Sequence, residues 1–402
     1  MSALAPSKQI VLVSGKRTPF GGFGGSLKDL TATDLAVSAA KATLAGVQAD
    51  PGVVDALYIG NVLQTSADAI YLARHVGLRA GAPVAAPALT LNRLCGSGFE
   101  AIAQAVTAIE LGMAEVVLAG GTESMSQAPH VVRGARFGLK FGSPAPFEDS
   151  LWSCLTDSQT GMAMANTAEK LARQYGISRV DCDAYALRSQ QRMQEALAAG
   201  AFEDELAPVV IPNKRGDKIV AKDEHPRPET TAEGLAKLPP VFEKEGCVTA
   251  GTASGIVDGA ATVLVTTAAR AAALGWPVLA QVVGFASVGC DPTIMGIGPV
   301  PAIQKLLSAT GWALGDVDDI EVNEAFAPQV LAVAAALGVD STVLNRRGGA
   351  IAVGHPLAAS GTRISVHQAW QLHRGRIGGG RKAIGSACIG GGQGIAIALQ
   401  GL

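Results

Sequence analysis

The chain has 402 residues, 48% of them hydrophobic, with 49 glycines and only 4% aromatics, which is enough for two or three domains with full cores. A formal net charge of −2 with 16% charged residues offers no basic field for nucleic acid and excludes that class of partner. Mean hydropathy is +0.29, yet the longest uncharged stretch, 271–290, is broken by Gly275, Pro277, Gln281 and Gly284, so no membrane span is expected. Six cysteines stand without CxxC pairs, and "MSALAPSKQIVLVS" lacks the features of a secretory or transit leader. Reduced thiols in a cytoplasmic chain of bacterial type are therefore expected, with the mitochondrial matrix as the alternative. The histidines show no metal-ligand spacing, so no metal is expected.

In chain order, "KQIVLVSGKRTPFGGFGG" reads as a buried strand running into a glycine turn. "TATDLAVSAAKATLAGV" has a Thr/Asp start and helical spacing that ends at Gly46. "VDALYIGNVLQ" is a strand, "LNRLCGSG" an apolar run into a turn, "FEAIAQAVTAIELGMA" a helix and "EVVLAGGTESM" a further strand. This alternation predicts a mostly parallel sheet covered by helices. Residues 124–248 differ in character: they hold prolines, a hairpin-like "PVVIPNKRGDKIVAKDE", and a helix opened by Ser178 and Asp181 in capping-box spacing. Afterwards the pattern returns. "VLAQVVGFASVG" is a strand, "VPAIQKLLSATGW" a helix, and "VDDIEVNEAFA" echoes "VDALYIGNVLQ". "GHPLAASGTRISVHQAWQL" is a glycine turn into a helix, and "KAIGSACIGGG" a strand ending in glycines. Two halves with one element order indicate a duplicated α/β fold. The expected boundaries are 1–123, completed by 249–274, for the first half, 124–248 for an inserted loop domain, and 275–402 for the second half.

Three polar features fall where the strands of such a sheet end, which is where ligand sites gather. Cys95 sits at a helix mouth, a setting that favours thiolate through the helix dipole and free N–H groups. His355 occupies the equivalent glycine turn of the second half, and Cys388 ends its final strand at "SACIGGGQG". Each alone has a bland reading: a cysteine buried as a small hydrophobe, a turn histidine before proline, a strand-end thiol. "GGGQG" is followed by the strand-like "IAIALQ", so it offers no helix N-terminus to a phosphate; it reads as backbone left bare for a close approach. A twofold relation between the halves would bring the Cys95 and His355 turns together.

Longer motifs carry a resemblance. "NRLCGSG", "GGTESMS", "NEAFAPQ", "NRRGGAIAVGHPLAASG" and "CIGGGQG" resemble those of thiolases along nearly the whole chain, and "DEHPRPETT" and "GCDPTIMGIGPVPAI" favour the 3-ketoacyl-CoA thiolases of mitochondrial type. The resemblance implies a five-layered α-β-α-β-α fold with a loop domain, and thiolytic cleavage of 3-ketoacyl-CoA to acetyl-CoA and a shortened acyl-CoA. Coenzyme A is then a co-substrate, and no cofactor is bound permanently. It makes Cys95 the nucleophile that is acylated, His355 the activator of a thiol, and Cys388 the acid and base at carbon. Asn323 with His355 would hold a water for one oxyanion hole, and the N–H groups of Cys95 and Gly390 would form the other. Arg227, Thr230, Ser254 and Met164 are implied at the coenzyme A and substrate contacts. The stretch after "GGTESMSQAPHVVRGARFG" resembles a tetramer-forming loop, so a homotetramer is expected.

The residue types suit that chemistry. A thiolate can attack the C3 ketone and later leave from a thioester, a second thiol can move a proton to carbon, and two developing oxyanions each need donors. Departures from the family pattern are Ala358, where glycine is common, Arg346 and Arg347 before "GGAIA", expected to face solvent, and Thr252 near the pantetheine channel. Ala163 stands where short-chain acetoacetyl thiolases often carry histidine, which favours a roomier acyl pocket. The tip "NKRGDK" is read as a solvated hairpin end ahead of a phosphate contact. The alternatives are an acetoacetyl-CoA thiolase (acetyl-CoA acetyltransferase) and a non-catalytic acyl-CoA- or lipid-binding protein of the same fold.

Overall fold

The computed structural model describes residues 3–142, 144–214, 216–377 and 381–402. The first half holds β1 (Ile10–Arg17), α1 (Ala32–Ala45), β2 (Ala56–Gly60), α2 (Leu72–Ala80), β3 (Ala88–Leu91), α3 (Ser97–Glu110) and β4 (Val116–Glu123). The insertion contains α4 (Met164–Tyr175), α5 (Arg179–Ala198) and a hairpin of β5 (Val209–Ile211) and β6 (Lys218–Val220). Strand β7 (Val257–Thr267) then returns to the first half. The second half comprises β8 (Ala280–Gly289), α6 (Pro299–Thr310), β9 (Asp319–Val322), α7 (Ala327–Leu337), α8 (Leu357–His373), β10 (Lys382–Ile389) and β11 (Gln393–Gln400).

Local chemistry sets the ends of these elements. Capping boxes start α1 at Thr31/Asp34 and α5 at Ser178/Asp181, each satisfying two otherwise orphaned N–H groups and contributing about 1 kcal/mol. Left-handed Gly176, Gly311 and Gly338 stop α4, α6 and α7.

The main strands run in the order β9–β10–β11–β8–β1–β7–β4–β2–β3. Two residue pairs between β8 and β1, Ala280 with Leu12 and Gln281 with Val11, join the two half-sheets. Helices α3 and α8 form the middle layer, and one core contains residues of both helices together with strands of both halves, among them Phe99, Ile102, Ile364, Val117 and Ile397. Helices α1 and α2 cover the outer face of the first half-sheet, and α6 and α7 that of the second. These are the five layers the resemblance implies.

The sheet is mixed, which corrects the expectation of a mostly parallel one. Among the described residues, only β2 with β3 and β4, and β9 with β10, are strand pairs that run parallel. The cause in the second half is the glycine run: Gly391 and Gly392 adopt φ of 78° and 80°, turning β10 straight back into β11. In the first half, β7 returns from the insertion antiparallel to both β4 and β1. No helix among the described residues is long and apolar enough to cross a membrane.

The insertion is tied down by buried charge. Arg17 bridges Glu205 at 2.6 Å and Asp223 at 2.7 Å, and His367 of α8 meets Glu205 at 2.7 Å. Burial alone would raise Glu205, but the His367 and Arg17 charges outweigh it and hold the carboxyl down at about 2.

Candidate active site

Cys95 stands on a 3-10 turn, Leu94–Gly96, between β3 and α3. Leu94 takes a left-handed φ of 49°, a strained conformation for leucine, and Ser97 braces the turn by accepting from Arg93 N–H at 2.8 Å and donating to Leu94 O at 2.7 Å. The sulfur accepts N–H groups from Gly390 and from Cys95 itself, so the two donors expected to form an oxyanion hole converge on one point.

The ionisation of Cys95 departs from the sequence expectation. Desolvation outweighs the pull of the two N–H groups, and the charge of Glu123 adds to it, so the thiol is pushed up to about 11. The helix mouth does not win: the turn places the sulfur against apolar side chains, including Leu63, Met125 and Leu357. The resting thiol is neutral and needs a base.

A base lies in the same cavity. A chamber of about 60 Å³ is lined by Cys95, Cys154, Leu155, Met164, Ser254, Phe326, His355 and Gly390, among others. His355 follows the short helix Ala350–Val353, and its own N–H donates to Gly255 O at 2.9 Å. Burial, with the nearby Arg363 charge, lowers its imidazole to about 3 and keeps it neutral. Nδ1 meets Ser360 Oγ at 2.6 Å, and Nε2 lies 3.3 Å from Asn323 Nδ2. An amide N–H donated to Nε2 requires that nitrogen to be the unprotonated one, with the ring proton on Nδ1 toward Ser360.

Cys388, fully buried near the end of β10, packs with Met295, Ala325, Met164 and Phe326. Burial, with the Cys95 and Cys290 sulfurs nearby, drives its thiol well above the ordinary range. Space at Gly390 is tight: a Cβ there would sit 3.2 Å from Met164 Sδ and 3.3 Å from Leu94 Cδ1, so those side chains would have to give way.

Two larger cavities complete the picture. One of about 420 Å³ shares His355, Met164, Ser254, Phe326, Leu155 and Leu357 with the chamber, and adds Ala163, Phe23, Trp152 and Phe242. Trp152 and Phe242 stack in its wall, with centroids 6.3 Å apart. The other, of about 410 Å³, holds Arg227 and Thr230 beside His225 and Gly251. Arg227 and Thr230 therefore line a cavity that shares no residue with the sulfur chamber.

Several departures from the family pattern resolve differently from expectation. Arg347 is half-buried and pairs with Asp319 at 3.1 Å instead of facing solvent, because β9 brings that carboxylate beneath it; Arg346 is exposed. Thr252 is buried, accepting Thr249 N–H at 2.8 Å and donating to Cys247 O at 2.9 Å, so it braces a turn and does not line a channel. In the 213–218 hairpin tip, Lys218 donates to Ser26 Oγ at 2.8 Å, and Arg215 lies outside the described residues.

Residues that motif reading left without a role also converge here. Neither Ser360, five positions after His355, nor Cys154 carried a signal in the sequence. Two fully buried carboxylates frame the site. Glu324 accepts Tyr185 Oη–H at 2.8 Å, Ser189 Oγ–H at 2.7 Å, Asn345 Nδ2–H at 3.0 Å and Ile351 N–H at 3.0 Å. Glu123 accepts only N–H groups, and burial pushes it up to about 7 against their pull.

The duplicated half-sheets, the shared helical layer and the two-thiol, one-imidazole chamber define a class, and comparison with known proteins agrees. Residues 10–269 match the thiolase N-terminal domain and residues 276–401 the thiolase C-terminal domain; the chain belongs to the thiolase family. Within it, the chain is 55% identical to the mitochondrial 3-ketoacyl-CoA thiolase of Bos taurus over 99% of both chains. It is also 45% identical to an acetyl-CoA acetyltransferase of Pseudomonas aeruginosa, over 98% of this chain and 99% of that protein. The crystal structure of human mitochondrial 3-ketoacyl-CoA thiolase in complex with CoA superposes with a TM-score of 0.95 at 54% identity, covering 99% of both chains.

Proposed function

We propose that the protein is an acyltransferase that cleaves 3-ketoacyl-CoA with coenzyme A, yielding acetyl-CoA and a shortened acyl-CoA through an acyl-cysteine. The observation that carries this reading is the neutral His355 in one chamber with the Cys95 thiol, on which the N–H groups of Gly390 and Cys95 act. His355 takes the Cys95 proton, and the thiolate attacks the C3 ketone. Collapse of the adduct breaks the C2–C3 bond, and Cys388 protonates the departing acetyl-CoA carbanion. The proton held by His355 returns to Cys388. His355 next deprotonates the thiol of coenzyme A, which attacks the acylated Cys95, and the leaving sulfur recovers that proton. Gly390 and Cys95 N–H groups serve one oxyanion, and Asn323 with His355 serves the other through water.

Arg227, Thr230, Ser254 and Met164 are assigned to coenzyme A and substrate, the first two around the outer cavity, the last two at the chamber. Ala163 in the wall of the 420 Å³ cavity supports acyl chains longer than acetyl. We read 124–248 as the loop domain, and Phe137, Phe141 and Phe147, exposed on its arm, as favouring a homotetramer, to be checked by light scattering. Six free cysteines suit a reducing compartment, cytoplasm or mitochondrial matrix.

The test is coenzyme A-dependent cleavage of 3-ketoacyl-CoAs of increasing chain length. Turnover rising beyond the four-carbon substrate is expected. Activity confined to acetoacetyl-CoA would instead favour the acetyl-CoA acetyltransferase reading, and acyl-CoA binding without turnover would overturn both.

A further inference from the structure

We propose that Glu123 is a positioning residue for this reaction, its buried carboxylate locking the Cys95 loop of the first half against the His355 turn of the second. The inference rests on the thiolase reading of the site. Glu123 ends β4 and is fully buried, and no cation is paired with it among the described residues. Its Oε1 accepts Leu63 N–H at 2.9 Å and Asn61 Nδ2–H at 3.0 Å, and its Oε2 accepts Val62 N–H at 3.2 Å and Ala358 N–H at 3.1 Å. Three of these donors belong to the segment after β2. The fourth is in the first turn of α8, three residues beyond His355.

Each side continues to a reacting group. Val62 O accepts Asn92 Nδ2–H at 3.3 Å, and Asn92 Oδ1 accepts Leu94 N–H at 2.8 Å, next to Cys95. On the other side Ala358 follows Leu357, which lines the chamber with His355. A second observation is independent of the hydrogen bonds. A Cβ at Gly121 would stand 1.9 Å from Ala358 O, so β4 and the start of α8 touch backbone to backbone at this junction. A carboxylate suits the place because all its partners donate; an amide would turn an NH2 toward another N–H.

The charge also faces the thiols. Glu123 lies in the field of Asp258 from β7, and it in turn acts on Cys95 and on Cys154 of the insertion. Removing its charge shifts the ionisation of Cys95 toward lower pH, whereas Glu123→Asp, which keeps the charge, leaves it in place.

The experiment compares the intact parent protein with Glu123→Gln. The parent is first shown to cleave 3-ketoacyl-CoA and to carry an acyl group on Cys95 by intact mass; failure here sinks the thiolase reading itself. With the parent active, Glu123→Gln is expected to lose at least about tenfold in kcat with KM within about twofold, since small misplacements of reacting groups cost that much or more. The pH profile of Cys95 alkylation by iodoacetamide is expected to move to lower pH. A kcat within twofold of the parent overturns the proposal, as does a loss of kcat with an unmoved profile. Should Glu123→Gln not fold, Glu123→Asp keeps the charge and shortens the reach. Its kcat is expected to fall at least fivefold with the alkylation profile in place, and a kcat within twofold of the parent overturns the proposal there too.

Discussion

The two half-sheets end in the same place with different chemistry. Strand β4 of the first half closes on Glu123, a charge fed by four N–H groups, whereas β10 of the second half closes around Cys388, a thiol among apolar side chains. The second half keeps its own buried carboxylate, Glu324, just past β9, but that one faces Tyr185 and Ser189 of the insertion. One carboxylate ties half to half, and the other ties the insertion to the second half. Duplication thus supplied a common frame, and in the proposed mechanism the halves take separate tasks: the first presents the attacking sulfur, the second the base and the second thiol.

Exchanging the two thiols one at a time tests that division most strongly. Cys388→Ser is expected to lower cleavage by about 10²–10⁴-fold, the scale of a lost acid–base group, while exchange of acetyl groups between acetyl-CoA and coenzyme A persists. Cys95→Ser should abolish both. Loss of both reactions in Cys388→Ser as well would break the comparison. The halves also differ in what anchors them. Arg17→Ala leaves Asp223 buried without its cation and Glu205 with His367 alone, at a cost of about 3–5 kcal/mol in urea unfolding. The folded carboxyl of Glu205, at about 2, lies below its ordinary 4.5, so its contribution is complete above pH 4.5 and disappears as pH falls toward 2. Acid titration of stability should therefore steepen in that window for the parent and flatten for Glu205→Gln.

Ser360→Ala sharpens the second-half account, since it leaves the His355 Nδ1 proton buried without its acceptor. A loss of about 1–3 kcal/mol is expected, read as a drop in kcat with little change in KM. A smaller effect concerns labelling: limiting iodoacetamide should modify Cys95 ahead of buried Cys182, Cys247 and Cys388, and His355→Ala should slow that labelling. Retention of the parent rate in His355→Ala would remove the imidazole as the base for Cys95.

Much of this was legible in the sequence because long glycine-rich motifs carry Cys95, His355, Cys388, Asn323 and Gly390, although His355 follows a short helix, Ala350–Val353, and not the strand end expected of it. The repeated element order likewise announced two halves. Strand direction was not legible, because hydropathy reports burial but not polarity of the chain; a glycine pair could have been read as a hairpin at 391–392. The ionisation of Cys95 was misread because a helix mouth is local, whereas desolvation comes from Leu63, Met125 and Leu357, distant in sequence. Glu123 stood in a quoted motif without a role, since its partners at Asn61–Leu63 and Ala358 meet only in the fold. Arg347 misled for the same reason: its partner Asp319 arrives from another strand.

The insertion departs after Glu123 and re-enters at Val257, and in the ladder between β4 and β7 Glu123 stands opposite Gly259. Topologically, the whole loop domain is one oversized hairpin loop between adjacent strands. Its ends stay a ladder rung apart whatever hangs between them, and closing a longer loop adds only about 0.6 kcal/mol per doubling of length. A change in the length of this segment therefore costs little in loop closure and leaves the ladder between β4 and β7 to hold the frame that carries both thiols.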